Sequence, residues 1–409
     1  MTSQENRKKI ALITTWYPPI NGVAVNRMEA FAKYLSLEFE VHVFCLGPKK
    51  ETKIGSFGET VHYNCESKVN QLLKSNAKDH RIKHNAKTLL RIIRSKFVKF
   101  PLSSWRNACS VELQKTHLKT PFDAILSSFS PLEPHIIAYK FVEMNASVKW
   151  IADMRDEMSL NVHVSSSERE LLREVENKVN ALACCITSVS MPLVEDFKQL
   201  CPFVAKVEEI RNGYDHDYRQ STVKRETNSN FSIGYFGTFY GDNKPSYFME
   251  ALEKIMLDKK FTFDFYIYGA HQNFVIPDSI KAHVHLLPRL DYKAAIEKMG
   301  AMDINYMPLP PISRPGVFSG KVFDYLSVQK PVIACMDKTT AAALLIEAMN
   351  AGYIAPFDQP LVIAQQLELA YSNAKAGVIK AANDDDAKSM HRKFQVEKLS
   401  KLIQKTLSL

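Results

Sequence analysis

The sequence predicts an α/β protein made of two doubly wound domains, each a largely parallel sheet covered by helices. Three observations carry that expectation. The chain has 409 residues, beyond the size at which a single hydrophobic core usually stops growing. Short apolar runs alternate with amphipathic stretches from the start, which is the cadence of βαβ units. That cadence halts once, in the polar run DHDYRQSTVKRETNSN from 215 to 230, and then begins again. The expected organisation is a first Rossmann-like domain over 1–215, a second over 216–388, and a terminal helix over 389–409.

Taken in order, KIALITTW reads as the first strand, VNRMEAFAKYLSL as a helix with its apolar positions on one face, and FEVHVFCL as the second strand. FDAILSSF, KWIADMR and CCITSVS follow as strands, with the helix SSERELLREVENKVNAL among them, and VEEIRNGYD closes the half. After the polar run, FSIGYFG, FTFDFYIYG and MDINYMPL read as strands, with PSYFMEALEKIM and YKAAIEKMG as helices. A helix opening at Gly320, the strand PVIAC, the helix AAALLIEAM, the run YIAPF and the helix PLVIAQQLELAYSNA complete the domain. A ligand is expected in a cleft between the two domains, at the carboxyl ends of the strands.

Composition narrows the class. Apolar residues make up 46% and charged ones 24%, an ordinary globular balance that excludes a disordered chain. Lys and Arg outnumber Asp and Glu by 53 to 44, which favours anionic partners without choosing among them. Nucleic acid has no recognisable module behind it. Seven cysteines without a CxxC pair point to neither a disulfide framework nor a zinc cluster, and fit a reducing cytoplasm. The apolar run near the start is short, Thr-rich and followed by Pro18 and Pro19, so it reads as a strand rather than a signal peptide. No stretch approaches 18 apolar residues, so none spans a membrane. One segment, 81–106, gathers basic residues around LLRIIRSKFVKF without an acidic one; Arg91, Arg94 and Lys96 are its candidate contacts with an anionic membrane surface, against the alternative of a solvated helix packed on its domain.

The common nucleotide motifs GxxxxGK[ST] and GxGxxG are absent, as are HExxH and GxSxG. Asp384, Asp385 and Asp386 suit the start of a helix better than a metal site. What the chain offers instead is a set of loops after strands. Gly22 lets the backbone approach a ligand after the first strand. Gly237, Thr238 and Gly241 follow the restart strand, with Lys244 in reach. The third loop, Gly316, Val317, Phe318, Ser319 and Gly320, leads into Lys321 and Asp324, which share a helix face because three residues is nearly one turn. Amides at a helix start beside a lysine suit a phosphate, and an ionised Asp324 can accept from the two hydroxyls of a ribose.

These landmarks, in order, resemble those of GT-B glycosyltransferases of family 4, also called glycosyl transferases group 1. WYPPINGVAVNR, Trp105 ahead of FDAILSSFSP, WIADMRD, ITSVSMPLVEDF, IRNGYD, YFGTFYG and GKVFDYLSVQKPVIA run almost end to end. The resemblance implies an acceptor-side first domain, a second domain for the nucleotide-sugar donor, retention of anomeric configuration, no metal or other cofactor, and a terminal helix returning to the first domain. It implies that Lys321 contacts the diphosphate, Asp324 the donor ribose and Gly22 the donor phosphates. It implies further that His135 or Asp153 faces the acceptor or the reacting sugar; Arg155 and Asp156 follow the same strand end on the acceptor side. Local structure is the competing account for each: a helix-start histidine satisfied by backbone, and a salt-bridge cluster.

The sequence departs from the family pattern at two places. Gly316 stands where the first of two glutamates eight positions apart is usual, and Thr238 stands where an arginine is usual, leaving Lys244 or Arg289 to supply that charge. The expected function is transfer of a sugar to a glycan or lipid-linked glycan in bacterial surface polysaccharide synthesis (capsule, O-antigen or exopolysaccharide), in the cytoplasm or on the inner face of its membrane. The alternative is a GT-B scaffold without catalysis that binds a partner transferase or membrane.

Overall fold

A computed structural model describes residues 7–20, 22–65, 102–216, 230–239, 241–269, 274–311, 315–316 and 318–408. Arg91, Arg94, Lys96 and Val317 lie outside the described residues. The chain divides into two compact units: Met1–Val189 with Leu193–Ile210 and Val396–Leu409, and Ser190–Pro192 with Arg211–Gln395. Arg211 to Asp215 therefore belong with the second unit, although the sequence boundary at 215 gave them to the first.

Among the described residues the first unit has eight strands: β1 (Lys9–Ile13), β2 (Glu40–Leu46), β3 (Glu51–Ile54), β4 (Thr60–Asn64), β5 (Ala124–Ser128), β6 (Lys149–Met154), β7 (Cys185–Ser188) and β8 (Lys206–Glu209). Their order is β3-β4-β2-β1-β5-β6-β7-β8, parallel except for the antiparallel β3–β4 pair. A parallel sheet must be covered on both faces, and β1 shows how the sequence achieves this. Its side chains alternate: Ala11 and Ile13 enter one apolar cluster, Ile10 and Leu12 the opposite one.

Helix α1 (Val23–Leu35) covers the second of these faces with Met28, Phe31, Ala32 and Leu35, spaced at three and four residues. The first face takes α2 (Ser103–Lys119), α3 (Glu133–Met144) and α4 (Ser166–Leu182); α5 (Met191–Leu200) adds Leu193 and Phe197. Ile13 is fully buried, so Ile13→Ala would cost about 2–5 kcal/mol through lost transfer energy and the cavity left behind.

The second unit's sheet holds β9 (Phe231–Phe236), β10 (Phe263–Tyr268), β11 (Val284–Leu287), β12 (Ile304–Pro308), β13 (Val332–Cys335) and β14 (Gly352–Ala355). It is parallel throughout, in the order β11-β10-β9-β12-β13-β14. The helices are α6 (Ser246–Leu257), α7 (Tyr292–Ala301), α8 (Lys321–Ser327), α9 (Ala341–Ala348), α10 (Pro360–Lys375), α11 (Asp384–Ser389) and α12 (Arg392–Leu407). β13 divides its side chains as β1 does, with Ile333 and Cys335 in one core and Val332 and Ala334 in the other.

The far part of α12 packs within the first unit. Val396, Leu399, Leu402 and Ile403 join the cluster of Ile10 and Leu12, and Ser400 Oγ donates to Glu38 at 2.8 Å. The three aspartates form the first turn of α11, where Asn383 Oδ1 accepts from the Asp386 amide at 2.8 Å.

Candidate functional site

In the second sheet the chain starts at β9 in the middle, moves outward through β10 to β11, then returns to β12 on the other side of β9. That reversal between β9 and β12 opens a crevice at their carboxyl ends. The loop after β9 and the segment after β12 meet there. Gly237 has φ +143, a backbone angle that favours glycine, and a Cβ on it would lie 2.5 Å from Lys321 Nζ and would have to displace it. Lys321 Nζ donates to the Tyr235 hydroxyl at 3.0 Å and lies 4.3 Å from the centre of that ring. The hydroxyl in turn donates to Thr238 O at 3.3 Å.

Burial lowers the Lys321 ammonium from 10.5 to about 8. A cation held where water solvates it poorly gains most from a bound anion. Thr238 Oγ1 donates to Gly269 O at 3.0 Å, and the Arg289 Cβ would lie 3.6 Å from a Cβ on Gly269. Gly237, Thr238, Arg289 and Lys321 are thus linked across the ends of β9, β10 and β11. Lys244 is exposed on the loop before α6, and Gly241, exposed with φ +55, turns that loop.

Ahead of α8, Gly316 is buried, Phe318 and Ser319 are half-buried and Gly320 is exposed. The amides of Val322 and Phe323 already donate to Ser319 O and Gly320 O, and α8 has only seven residues. One turn on from Lys321, Asp324 accepts from the Tyr292 hydroxyl at 2.7 Å. Burial raises Asp324 from 3.8 to about 6, opposed by that hydrogen bond and by Arg392. Tyr292 opens α7, whose cap is Asp291 accepting from the Ala294 amide at 2.9 Å. Tyr235 and Tyr292 escaped the sequence reading because nothing separates them from the other core and helix-start aromatics.

The first sheet reverses between β1 and β5. Trp16 Nε1 donates to Ser130 O at 2.6 Å, joining the loops after these two strands. Arg155, just past β6, donates from Nε to Phe129 O and from Nη2 to Ser130 O at 3.3 Å, so it fastens the same loop. Asp156 beside it is exposed. Gly22 caps α1 by accepting from the Val25 and Asn26 amides, with open space where a Cβ would be.

Asp153 corrects the expectation of a sugar contact. It is fully buried, and both oxygens are committed: Oδ1 to Arg27 Nη2 (2.6 Å) and Thr187 Oγ1 (2.8 Å), Oδ2 to Arg27 Nε (3.1 Å) and Ser128 Oγ (2.7 Å). Arg27 also donates to Ile210 O at 2.9 Å. This cluster ties β5, β6, β7 and α1 together. Its guanidinium and the four bonds hold the Asp153 carboxyl below the usual range against the cost of burial.

His135 is fully buried as well. Ser127 Oγ accepts from Trp150 Nε1 at 2.8 Å and lies 2.6 Å from His135 Nδ1, a hydrogen bond whose direction depends on the imidazole tautomer. Nε2 has no hydrogen-bond partner among the described residues. Burial pushes the ring down to about 4, so it is neutral at pH 7.

No protein-family model and no curated protein matches the sequence. Solved structures do match. A glycosyltransferase from Rickettsia africae superposes with a TM-score of 0.64 at 14% identity over 98% of this chain and 99% of that one. The fold is GT-B. Sucrose-phosphate synthase from Thermosynechococcus elongatus agrees with a TM-score of 0.63 at 12% identity, over 98% of this chain and all of that one. Anabaena HepE, solved in complex with UDP, agrees at 0.59 and 15% identity over 98% and 99%. The two GT-B sheets are the eight-stranded and six-stranded sheets described above.

Proposed function

We propose that the protein is a glycosyltransferase that moves a sugar from a nucleoside-diphosphate sugar to a glycan or lipid-linked glycan, with retention of configuration. The observation that carries this reading is the partly desolvated Lys321 ammonium held against Gly237 at the reversal point of the second sheet. A diphosphate leaving group gains negative charge as the glycosidic bond breaks, and a fixed cation in a poorly solvated site stabilises that change. Asp324, ionised at pH 7, accepts from the ribose hydroxyls. His135, through Nε2, is the group assigned to the sugar. No metal or other cofactor takes part. The expected setting is bacterial surface polysaccharide synthesis at the cytoplasmic side of the membrane; among the described residues no helix is long and apolar enough to cross one.

The test is a thermal-shift screen against UDP, GDP and their common sugars, with and without EDTA. Stabilisation by one nucleotide family, unchanged by EDTA, supports the reading. No shift with any of them refutes it.

Gly316 in place of the family's first glutamate, together with the inward-turned Asp153, favours a second reading: a donor-binding scaffold without turnover that serves a partner transferase. Donor binding without release of nucleoside diphosphate across acceptors would select it.

A further inference from the structure

The first unit holds a cavity of about 460 Å³ between the loop after β1 and the β3–β4 hairpin. None of the residues assigned to the donor lines it. We infer that it binds a neutral, disaccharide-sized stretch of glycan. The inference rests on the transferase reading only in taking that glycan to be the acceptor.

The hairpin builds one wall by strand alternation. Glu51 lies opposite Tyr63 and Lys53 opposite Val61, and all four face the cavity; Thr52 and His62 turn to the other side and meet each other at 3.2 Å. Tyr17, Pro18 and Pro19 form the facing wall. The rings are fixed before any ligand arrives. Tyr63 donates to Pro18 O at 2.8 Å, and Tyr17 donates to Glu59 Oε1 at 2.7 Å. Glu59 is itself buried, with its other oxygen accepting from the Phe57 amide at 2.8 Å.

Two glycines leave the room these groups need. A Cβ on Gly47 would lie 2.7 Å from the Tyr63 ring, and one on Gly55 would lie 1.9 Å from Glu59 Oε1. A site preformed in this way loses little order on binding.

The lining chooses the ligand. Three carboxylates, Glu29, Glu51 and Glu59, face one ammonium, Lys53, which lies 5.0 Å from the centre of the Tyr63 ring. Even with Glu51 paired to Lys49, the excess of carboxylates disfavours phosphates and nucleotides. It also rules against a free cation as the main ligand, because Glu51 is already paired with Lys49 at 2.7 Å and Glu59 holds two donors. Hydroxyl donors suit the remaining lone pairs of the carboxylates, and the half-buried Phe57 ring suits the C–H side of a sugar ring. The volume falls within the range of small-molecule sites.

Saturation-transfer NMR on the full chain, without nucleotide, tests this with maltose, cellobiose and chitobiose as neutral probes and glucosamine and glucose 6-phosphate as charged ones. At least one neutral disaccharide is expected to bind. Phe57→Ala and Glu51→Gln, both partly exposed positions, are expected to weaken it tenfold or more while the melting temperature holds. Glucose 6-phosphate is expected to give no signal. Silence from all three disaccharides, binding that survives both substitutions, or preference for either charged probe overturns the assignment. The UDP and GDP thermal shift on the same samples separates the two readings. Disaccharide binding without a nucleotide shift leaves this site standing and the transferase reading refuted; a nucleotide shift without disaccharide binding does the reverse.

Discussion

Lys321→Met is expected to make the ligand-free protein more stable and the nucleotide-binding protein inert. Burial lowers the folded lysine to about 8 from 10.5, which corresponds to about 3 kcal/mol. Partial exposure screens some of this, leaving roughly 2 kcal/mol. The lost hydrogen bond to Tyr235 returns about 1 kcal/mol, so the net gain at pH 7 is about 1 kcal/mol. That corresponds to about 2–4 °C for a unit of this size.

The sign follows from proton counting. Between pH 8 and 10.5 the unfolded lysine holds its proton and the folded one releases it, so wild-type stability rises with pH across that window. The methionine variant's advantage should therefore be full below pH 8 and gone by pH 10.5. Differential scanning calorimetry at pH 7 and pH 10, with and without UDP and GDP, reads both effects. A variant that melts below wild type at pH 7 and keeps its nucleotide shift would show that Lys321 is a structural cation, and the assignment of the donor site would fail with it.

Four further outcomes are expected. Gly237→Ala places a methyl group 2.5 Å from Lys321 Nζ at a backbone angle of +143°, so calorimetric titration should find nucleotide affinity reduced about tenfold or more with the fold retained. In wild type the same titration should find nucleotide affinity level between about pH 6 and 8, falling below as Asp324 protonates and above as Lys321 releases its proton. Asp153→Ala strands the buried Arg27 guanidinium, and urea unfolding should register a loss of about 3–5 kcal/mol. His62 and His135 both titrate near 4 in the folded protein against 6.5 unfolded, so the unfolded chain binds more protons between those values; stability should fall with acidification by about 1.4 kcal/mol per pH unit for each, and His62→Phe should flatten the slope.

The elements legible in the sequence are the short apolar runs buried on both faces, as in β1, β9 and β13, and helices with a one-sided stripe, as α1 shows at Met28, Phe31, Ala32 and Leu35. The β3–β4 hairpin went unread because ETKI is almost wholly exposed and carries no core pattern. Helix α2 was hidden for a related reason. It buries Trp105, Cys109 and Leu113 in a single row four residues apart, surrounded by polar positions, so its periodic signal is weak. At the candidate site, Lys321 and Asp324 were readable because their spacing is local. Their partners Tyr235 and Tyr292 were not, since the contacts span 86 and 32 residues and no local pattern encodes them.

The two sheets treat their reversal points differently, and the difference assigns their work. At the end of the first sheet, charge is neutralised internally: Asp153 is consumed by Arg27, Ser128 and Thr187, and His135 is neutral. What remains there is shape, with loops fixed by Trp16 and Arg155 and hydrogen-bond donors at set positions. At the end of the second sheet, Lys321 has only a neutral phenol as a hydrogen-bond acceptor among the described residues, and Asp324 accepts from another. A buried cation served by a neutral group costs stability until an anion arrives, whereas a buried ion pair is satisfied without one. The second unit therefore carries an unmet electrostatic demand, which under the proposed function a diphosphate would meet. Exchanging these properties is a direct check. Tyr235→Glu would give Lys321 an internal carboxylate, and nucleotide affinity should collapse although every other residue of the site remains; retained affinity would mean that the unsatisfied ammonium is not what draws the donor.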